Sequence, residues 1–437
     1  MNRFKLPPGP MFILEKLREA GYEAFLVGGC LRDILLRKNV RDWDIATNAP
    51  SVGISKLFKK TIPLGKNHGS MTVVHDRMQY EVTSYRSAKD KRGETIIEDL
   101  SHRDFTINAL AFDPAKGNLI DPFGGEKDMG KKAIRAVGDP IERFSEDPLR
   151  ALRALRLASE LGFRVHRDTL KRIPDFTLAL NRMAPERIRN ELLKILKSAK
   201  PSIGIDMMRK TGLLAVIFPE ILKGHRMKQR EKFHAFDVYK HSLLTMDFLP
   251  PDPILRLAGL LHDIGKPYTR TKIKGEFRFF GHAEEGEKIA GSFLRRFRFS
   301  NVERKRITHL VRHHMLDYRE EWKNCAVKRL LARLGENQLE DFFLLYEADK
   351  KALGKGRRGH SQLEGLRKRI EGIKTKKEAR KVSDLAINGS QVIAILGIRQ
   401  GKKVGEILKS LLEMVLEDPG KNTPQKLKEI LETEIKR

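Results

Sequence analysis

Two carboxylates a single residue apart offer the first chemistry in this chain. Asp42 and Asp44 flank Trp43 and follow closely on Gly28-Gly29-Cys30-Leu31-Arg32-Asp33. On a strand, side chains two residues apart point to the same side, so the pair is expected to present both carboxylates on one face. Two such groups repel unless a proton or a cation lies between them. Paired Mg2+ ions about 4 Å apart suit both the carboxylates and an in-line phosphoryl transfer. One ion would activate an attacking hydroxyl, and the other would hold a triphosphate and its leaving pyrophosphate. A Gly-Gly turn fits, because a bare backbone approaches phosphates closely and turns its N–H groups on them. Alone, a Gly-Gly pair is usually a turn and Asp-x-Asp a loop feature; their succession behind an expected strand carries the reading. Glu81 is either a third carboxylate or a salt-bridged edge residue.

A second pattern, Glu146-Asp147-Pro148-Leu149-Arg150, opens the first expected long helix. Asp147 and Arg150 lie three apart and would share a helical face. An ionised Asp only accepts hydrogen bonds and an Arg only donates. Cytosine and adenine both present an amino donor beside a ring-nitrogen acceptor, whereas uracil and guanine reverse the two. The pair can therefore select C or A in place of a template strand. The alternative is that Asp147 caps the helix and Arg150 pairs with it on the surface. Arg153 and Arg156 extend the basic side toward phosphates.

The third constellation lies in the second half. His241, His262-Asp263, His282, His313-His314 and Asp349 supply imidazoles and carboxylates of the kind that hold divalent metals and activate water. Lys266 is placed to neutralise a phosphate.

These groups need elements to position them. Ala24 to Val27 is a short apolar run, Met71 to Val74 and Gln79 to Tyr85 read as strands around a turn at His75-Asp76-Arg77, and Phe105 to Phe112 reads as buried. From about Ile141 apolar residues recur at helical spacing almost to the end, with breaks at Pro201, Pro219, Pro250-Pro251 and Gly354 to Gly359. The expected fold is α+β: a small mixed α/β head followed by an all-helical neck, body and tail. The basic stretch Lys350 to Arg380 reads as a solvated face or loop, or as an ordinary surface helix.

The 437 residues are 40% hydrophobic and carry a formal net charge of +29, a surplus that points to a polyanionic partner, nucleic acid first. Two distant cysteines, Cys30 and Cys325, exclude a disulfide framework or zinc ribbon. No run approaches the roughly 20 apolar residues that span a bilayer, and a soluble, cytoplasmic protein is expected.

GGCLRD, DWDIAT, HRDFTINALAF, DPFGG and EDPLRALRALRLASELGF occur in that order. In this the chain resembles class II tRNA nucleotidyltransferases and their bacterial poly(A) polymerase relatives over most of its length. The histidines and aspartates of the second half resemble an HD phosphohydrolase domain. The resemblance implies a polymerase-β-like head. It implies metal binding by Asp42 and Asp44, which carry catalysis. It implies nucleotide contacts from Gly28, Gly29, Arg32, Arg103, Asp104 and Asn108, and base reading by Asp147 and Arg150 with Arg153 beside them. The family's usual Arg-Arg-Asp is His102-Arg103-Asp104 here. Pro185-Glu186-Arg187-Ile188-Arg189 resembles a later, structural element. The HD-type metal ligands are His241, His262, Asp263 and Asp349.

The domains implied are residues 1–138 as nucleotidyltransferase head, 139–225 as neck and body reading base and RNA, 226–350 as HD-type domain, and 351–437 as basic tail binding tRNA. The expected reaction adds cytidines to the 3′ end of tRNA from CTP, with Mg2+, and a further divalent metal at the histidine cluster. Only Ala88 to Ile97 separates Tyr85-Arg86-Ser87 from Glu98-Asp99-Leu100, where full CCA-adding members carry a longer loop. The short stretch favours addition of CC, the terminal A from ATP being left to a separate A-adding enzyme. The alternatives are full CCA addition, a poly(A) polymerase, and an HD phosphohydrolase acting on RNA ends with an inactive head.

Overall fold

The computed structural model describes residues 6–40, 42–64, 69–85, 95–229, 235–316, 318–354, 360–375 and 379–435. The chain forms two compact units, Met1–Pro219 and Glu220–Arg437.

The first unit is built on seven strands: β1 (Ala24–Val27), β2 (Trp43–Thr47), β3 (Thr61–Leu64), β4 (Ser70–His75), β5 (Met78–Ser84), β6 (Ala111–Asp113) and β7 (Asn118–Ile120). Their order is β3-β4-β5-β2-β1-β6-β7. Only β2 and β5 run parallel; the other neighbours are antiparallel. Ala24 to Val27 lies inside the sheet and is buried throughout, which explains its unbroken apolar run. The helix Pro8–Glu19 covers the sheet with Ile13, Leu14 and Leu17. His75 belongs to β4 and pairs with Met78, so the turn is tighter than the sequence suggests. Asp76 and Arg77 alone make it, both at positive φ (+47° and +62°), as a two-residue hairpin of this hand requires.

The sequence places Glu146 at the opening of a long helix, and the structure corrects this. Glu146 ends the helix Pro140–Glu146, and a new helix runs from Leu149 to Leu161. Pro148 disfavours helical backbone at the residue before it, and Asp147 is extended at φ −149°. Leu149, Leu152, Leu155 and Ala158 are all buried, as their spacing implies. The helical half is not wholly helical either: β8 (Ala133–Ile134) pairs in parallel with β9 (Arg164–Val165). The helix Pro185–Lys197 packs on Leu149–Leu161 through Ile188, Leu192 and Ile195.

In the second unit, helices Val238–Phe248, Pro253–Leu261, His282–Arg296, Asn301–His313 and Leu339–Ala352 pack together. A hairpin of β10 (Thr271–Ile273) and β11 (Glu276–Arg278) interrupts them, a feature the helical reading missed. Within the basic stretch, His360–Lys374 is a helix, which settles the choice against a loop there. The C-terminal helices Gly389–Leu396, Lys402–Glu417 and Pro424–Ile430 close on their own apolar cluster around Val392, Leu411 and Leu427. Among the described residues no helix is long and apolar enough to cross a membrane.

Candidate active site

The head carries a polar cleft of about 440 Å³, within the roughly 300–1,000 Å³ of small-molecule sites. Asp44 lies on β2 and Asp42 immediately precedes it, and both line the cleft. Gly28 and Gly29 form its floor between β1 and the short helix Gly29–Leu35. Gly28 sits at φ +77°, and a Cβ there would stand 2.8 Å from Arg103 Nη1 and 3.2 Å from Asp44 Oδ2. Only glycine lets that guanidinium and that carboxylate converge on the turn. Arg103 is held in place by Asp99, whose Oδ2 accepts from Nε at 3.1 Å and Nη2 at 3.0 Å. Glu81 is in register with Asp44 across β2 and β5, but it is exposed and is not among the cleft-lining residues.

A chain of charged hydrogen bonds fixes the cleft's basic wall. Arg32 Nη1 donates to Asn108 Oδ1 at 2.7 Å, and Asn108 Nδ2 donates to Asp104 Oδ1 at 3.0 Å. Arg153 Nη1 donates to Asp104 Oδ2 at 3.1 Å. Glu191 continues it, 3.5 Å from Arg153 Nε and 2.6 Å from Arg156 Nε. Burial would raise the Asp104 carboxyl, but Arg153 and Asn108 outweigh it and hold its pKa at about 2. Asp104 therefore orders the wall as an anion, while Asp42 and Asp44 present hard oxygen donors in an open polar cleft, the ligand type that Mg2+ takes. The Cys30 thiol, which also lines the cleft, is pushed up to about 12 by burial, with Asp44 adding to it. It is no nucleophile at neutral pH.

The structure does not bring Asp147 and Arg150 together. Asp147 Oδ2 accepts from Arg187 Nη2 at 2.8 Å, and Asp147 is not among the cleft-lining residues. Arg150 does line the cleft, but its Nη1 donates to Glu146 Oε2 at 2.6 Å and its Nη2 to the His102 carbonyl at 2.8 Å. His102 turns to Glu146 too, with Nδ1 3.3 Å from Oε1. Asp33 and Arg156 line it too, and Glu191, Lys194, Lys38 and Asn39, missed in the sequence, complete the lining.

In the second unit, His241, His262, Asp263, His282, His314 and Asp349 converge from five helices or their ends. His262 Nε2 lies 3.2 Å from Asp263 Oδ2 and 3.5 Å from Asp349 Oδ1. His241 Nε2 lies 3.6 Å and 2.9 Å from the same two oxygens. Two ligands each about 2.1 Å from one ion stand about 3.0–3.4 Å apart at ordinary coordination angles, so the spacing fits a shared cation. The tautomers fit as well. His262, His282 and His314 each place Nδ1 2.7–2.8 Å from a backbone carbonyl, of Gly259, Phe279 and Val311. Nδ1 must carry the proton there, which leaves the Nε2 lone pairs facing inward. Without a cation, Asp263 and Asp349 overcome burial and raise His262 to about 10, while burial lowers His282 to about 4. His313 does not join; its ring packs 4.5 Å from that of His309. Lys266 Nζ bonds Asp263 Oδ2 at 2.6 Å and Gln229 Oε1 at 2.7 Å. Gly265 makes the convergence sterically feasible, since a Cβ there would lie 2.0 Å from the His282 carbonyl oxygen.

Three family profiles match the chain: the poly A polymerase head domain over residues 24–135, the probable RNA- and SrmB-binding site of polymerase A over 162–223, and the HD domain over 234–354. The CCA-adding enzyme of Enterococcus faecalis is 30% identical over 430 residues, covering 95% of this chain and 93% of that protein. The CCA-adding enzyme of Pediococcus pentosaceus is 42% identical over 211 residues; there the match spans only 53% of that relative's length. Among solved structures, the Bacillus stearothermophilus CCA-adding enzyme in complex with CTP superposes with a TM-score of 0.72 at 28% identity, covering 98% of both chains. The Thermotoga maritima CCA-adding enzyme complexed with tRNA shares the fold at a TM-score of 0.57 and 21% identity.

Proposed function

Because the chain belongs to the CCA-adding enzyme family of tRNA nucleotidyltransferases, we propose that it extends the 3′ end of tRNA without a template, drawing CTP into the cleft of the head. The observation that carries this reading is that Asp42 and Asp44 line one cleft together with Arg32, Arg103 and Arg153. The Gly29 N–H at the start of the short helix, with Arg32 and Arg103, binds the triphosphate. Asn108 holds Arg32 and Asp99 holds Arg103 at fixed angles, so little reorganisation is left for the reaction itself. Mg2+ held by Asp42 and Asp44 supplies charge neutralisation and a more acidic 3′-hydroxyl. The hydroxyl oxygen attacks the α-phosphorus, and pyrophosphate leaves.

Arg150 and Asp147 read the base once Glu146 and Arg187 release them. Donor and acceptor together fit C or A and oppose U or G. Residues 1–138 form the catalytic head, 139–225 the neck and body, 226–350 the HD-type domain, and 351–437 the tail. The helical domains bind the tRNA by shape and by its phosphates. The histidine–aspartate cluster holds a divalent metal through His241, His262, Asp263 and Asp349, and the whole operates in the cytoplasm.

Addition stops after CC, the final A being supplied by a separate A-adding enzyme. This rests on the short stretch Ala88 to Ile97, of which 88–94 lie outside the described residues. Full CCA addition from CTP and ATP is the second reading, favoured by the name of the relative aligned over nearly the whole chain. Product length at single-nucleotide resolution, on tRNA ending at the discriminator base, separates the two.

A further inference from the structure

The β10–β11 hairpin belongs to neither site above, and no core packing explains its sequence. Among the described residues the two strands pair only with each other, and residues 271–276 are all exposed. A lone two-stranded hairpin is marginal in water. Between Lys266 and Phe280 the chain carries five cations, Lys266, Arg270, Lys272, Lys274 and Arg278, against one carboxylate, Glu276. Arg278 already pairs with that carboxylate at 3.3 Å.

Lys272 stands opposite Phe277 in the paired strands, with Arg270 and Phe279 just outside them. The Arg270 guanidinium lies 3.6 Å from the centroid of the Phe277 ring, and Lys266 Nζ lies 5.7 Å from that of Phe279. Cations and rings thus pair from the hairpin toward Lys266, whose ammonium contacts Asp263. At the same end Phe280 is 69% exposed, two residues before His282. An exposed ring beside a cationic track is the combination that binds single strands, bases stacking on rings and phosphates following cations. An acidic peptide would match the cations but would leave Phe280 without a purpose.

We propose that the hairpin, with Phe280, is a binding site for single-stranded RNA, the backbone running along Arg270 and Lys272 and a base stacking on Phe280. The track leads to the histidine–aspartate cluster. The inference is independent of the chemistry assigned to the head.

The test is fluorescence anisotropy of the full-length protein with a labelled ten-nucleotide oligouridine. The variants are Lys272→Glu with Lys274→Glu, and separately Phe280→Ala, each checked for an unchanged melting curve and CTP affinity. Charge reversal should weaken binding at least ~10-fold and flatten its salt dependence. Phe280→Ala should weaken it ~5- to 100-fold. Binding within twofold of wild type for both variants overturns the proposal. So does a loss confined to the charge reversal, or displacement of the RNA by polyglutamate as readily as by unlabelled oligouridine.

Discussion

The Asp147 carboxylate is engaged by Arg187 at 2.8 Å, while Arg150, three residues away, is bound to Glu146 at 2.6 Å. The two groups best suited to read a base are thus each occupied by another side chain. On the base-reading role proposed for them, an incoming nucleotide would displace both contacts, and its binding would be coupled to the helices that supply them.

Substitution at this pair separates selection from stability. Arg187→Ala removes a half-exposed ion pair, and such pairs contribute about 0.2–1 kcal/mol, so the melting temperature should barely move. KM for CTP should change by only a few fold, because the displaced partner is gone. Asp147→Ala should instead erode discrimination of CTP over UTP by ~10- to 100-fold, the value of one hydrogen-bonded recognition group. Single-turnover incorporation with each nucleotide measures both effects.

The proposed mechanism puts the chemistry on the carboxylates of the head. Asp42→Ala with Asp44→Ala should lower incorporation at least ~1,000-fold, since ion-mediated charge stabilisation supplies several kcal/mol of the barrier reduction. Affinity for tRNA, read by filter binding, should stay within about twofold. Surviving incorporation would show that the two residues are not the site.

The histidine cluster should act apart from the head. His262→Ala with Asp263→Ala is expected to remove bound divalent metal, read by elemental analysis of the purified protein, and to leave the CTP incorporation rate within about twofold. A parallel loss of incorporation would show that the two centres depend on each other.

Asp104 gives a pH prediction with a definite sign. Its folded pKa of about 2 lies below the ordinary value of 3.8. The carboxylate therefore contributes stability that is fully present above pH ~4 and is lost as pH falls toward 2. Linkage puts that contribution at about 2 kcal/mol. Urea midpoints at pH 7, 4 and 2.5 should show the gap between wild type and Asp104→Asn narrowing across the lowest interval; a constant gap would contradict the assignment.

Much of the site was legible because its residues lie close in sequence or on regular elements. Gly28-Gly29 ends an unbroken apolar run, and Asp42-x-Asp44 follows it at the start of the next strand. His262-Asp263 announced the second cluster, and the resemblance to an HD domain added His241 and Asp349. What escaped depends on tertiary contact. Glu191 closes the basic wall from a helix almost forty residues beyond Arg153, and local pattern does not reveal such a partner. The break at Asp147 was decided by Pro148, whose effect on the preceding residue overrode an otherwise helical pattern. The β10–β11 hairpin was hidden because its strands are short and polar, without the apolar alternation that marks a buried sheet.

The central claim is that the head transfers cytidylate from CTP to the 3′ end of tRNA. The direct measurement uses a tRNA transcript ending at the discriminator base, with labelled CTP alone, ATP alone, or both, resolved to single nucleotides. Two added cytidines and a halt, with ATP present and with incorporation abolished by Asp42→Ala and Asp44→Ala, is the predicted result. Long adenylate tails from ATP alone, or no cytidine added at all, would contradict it.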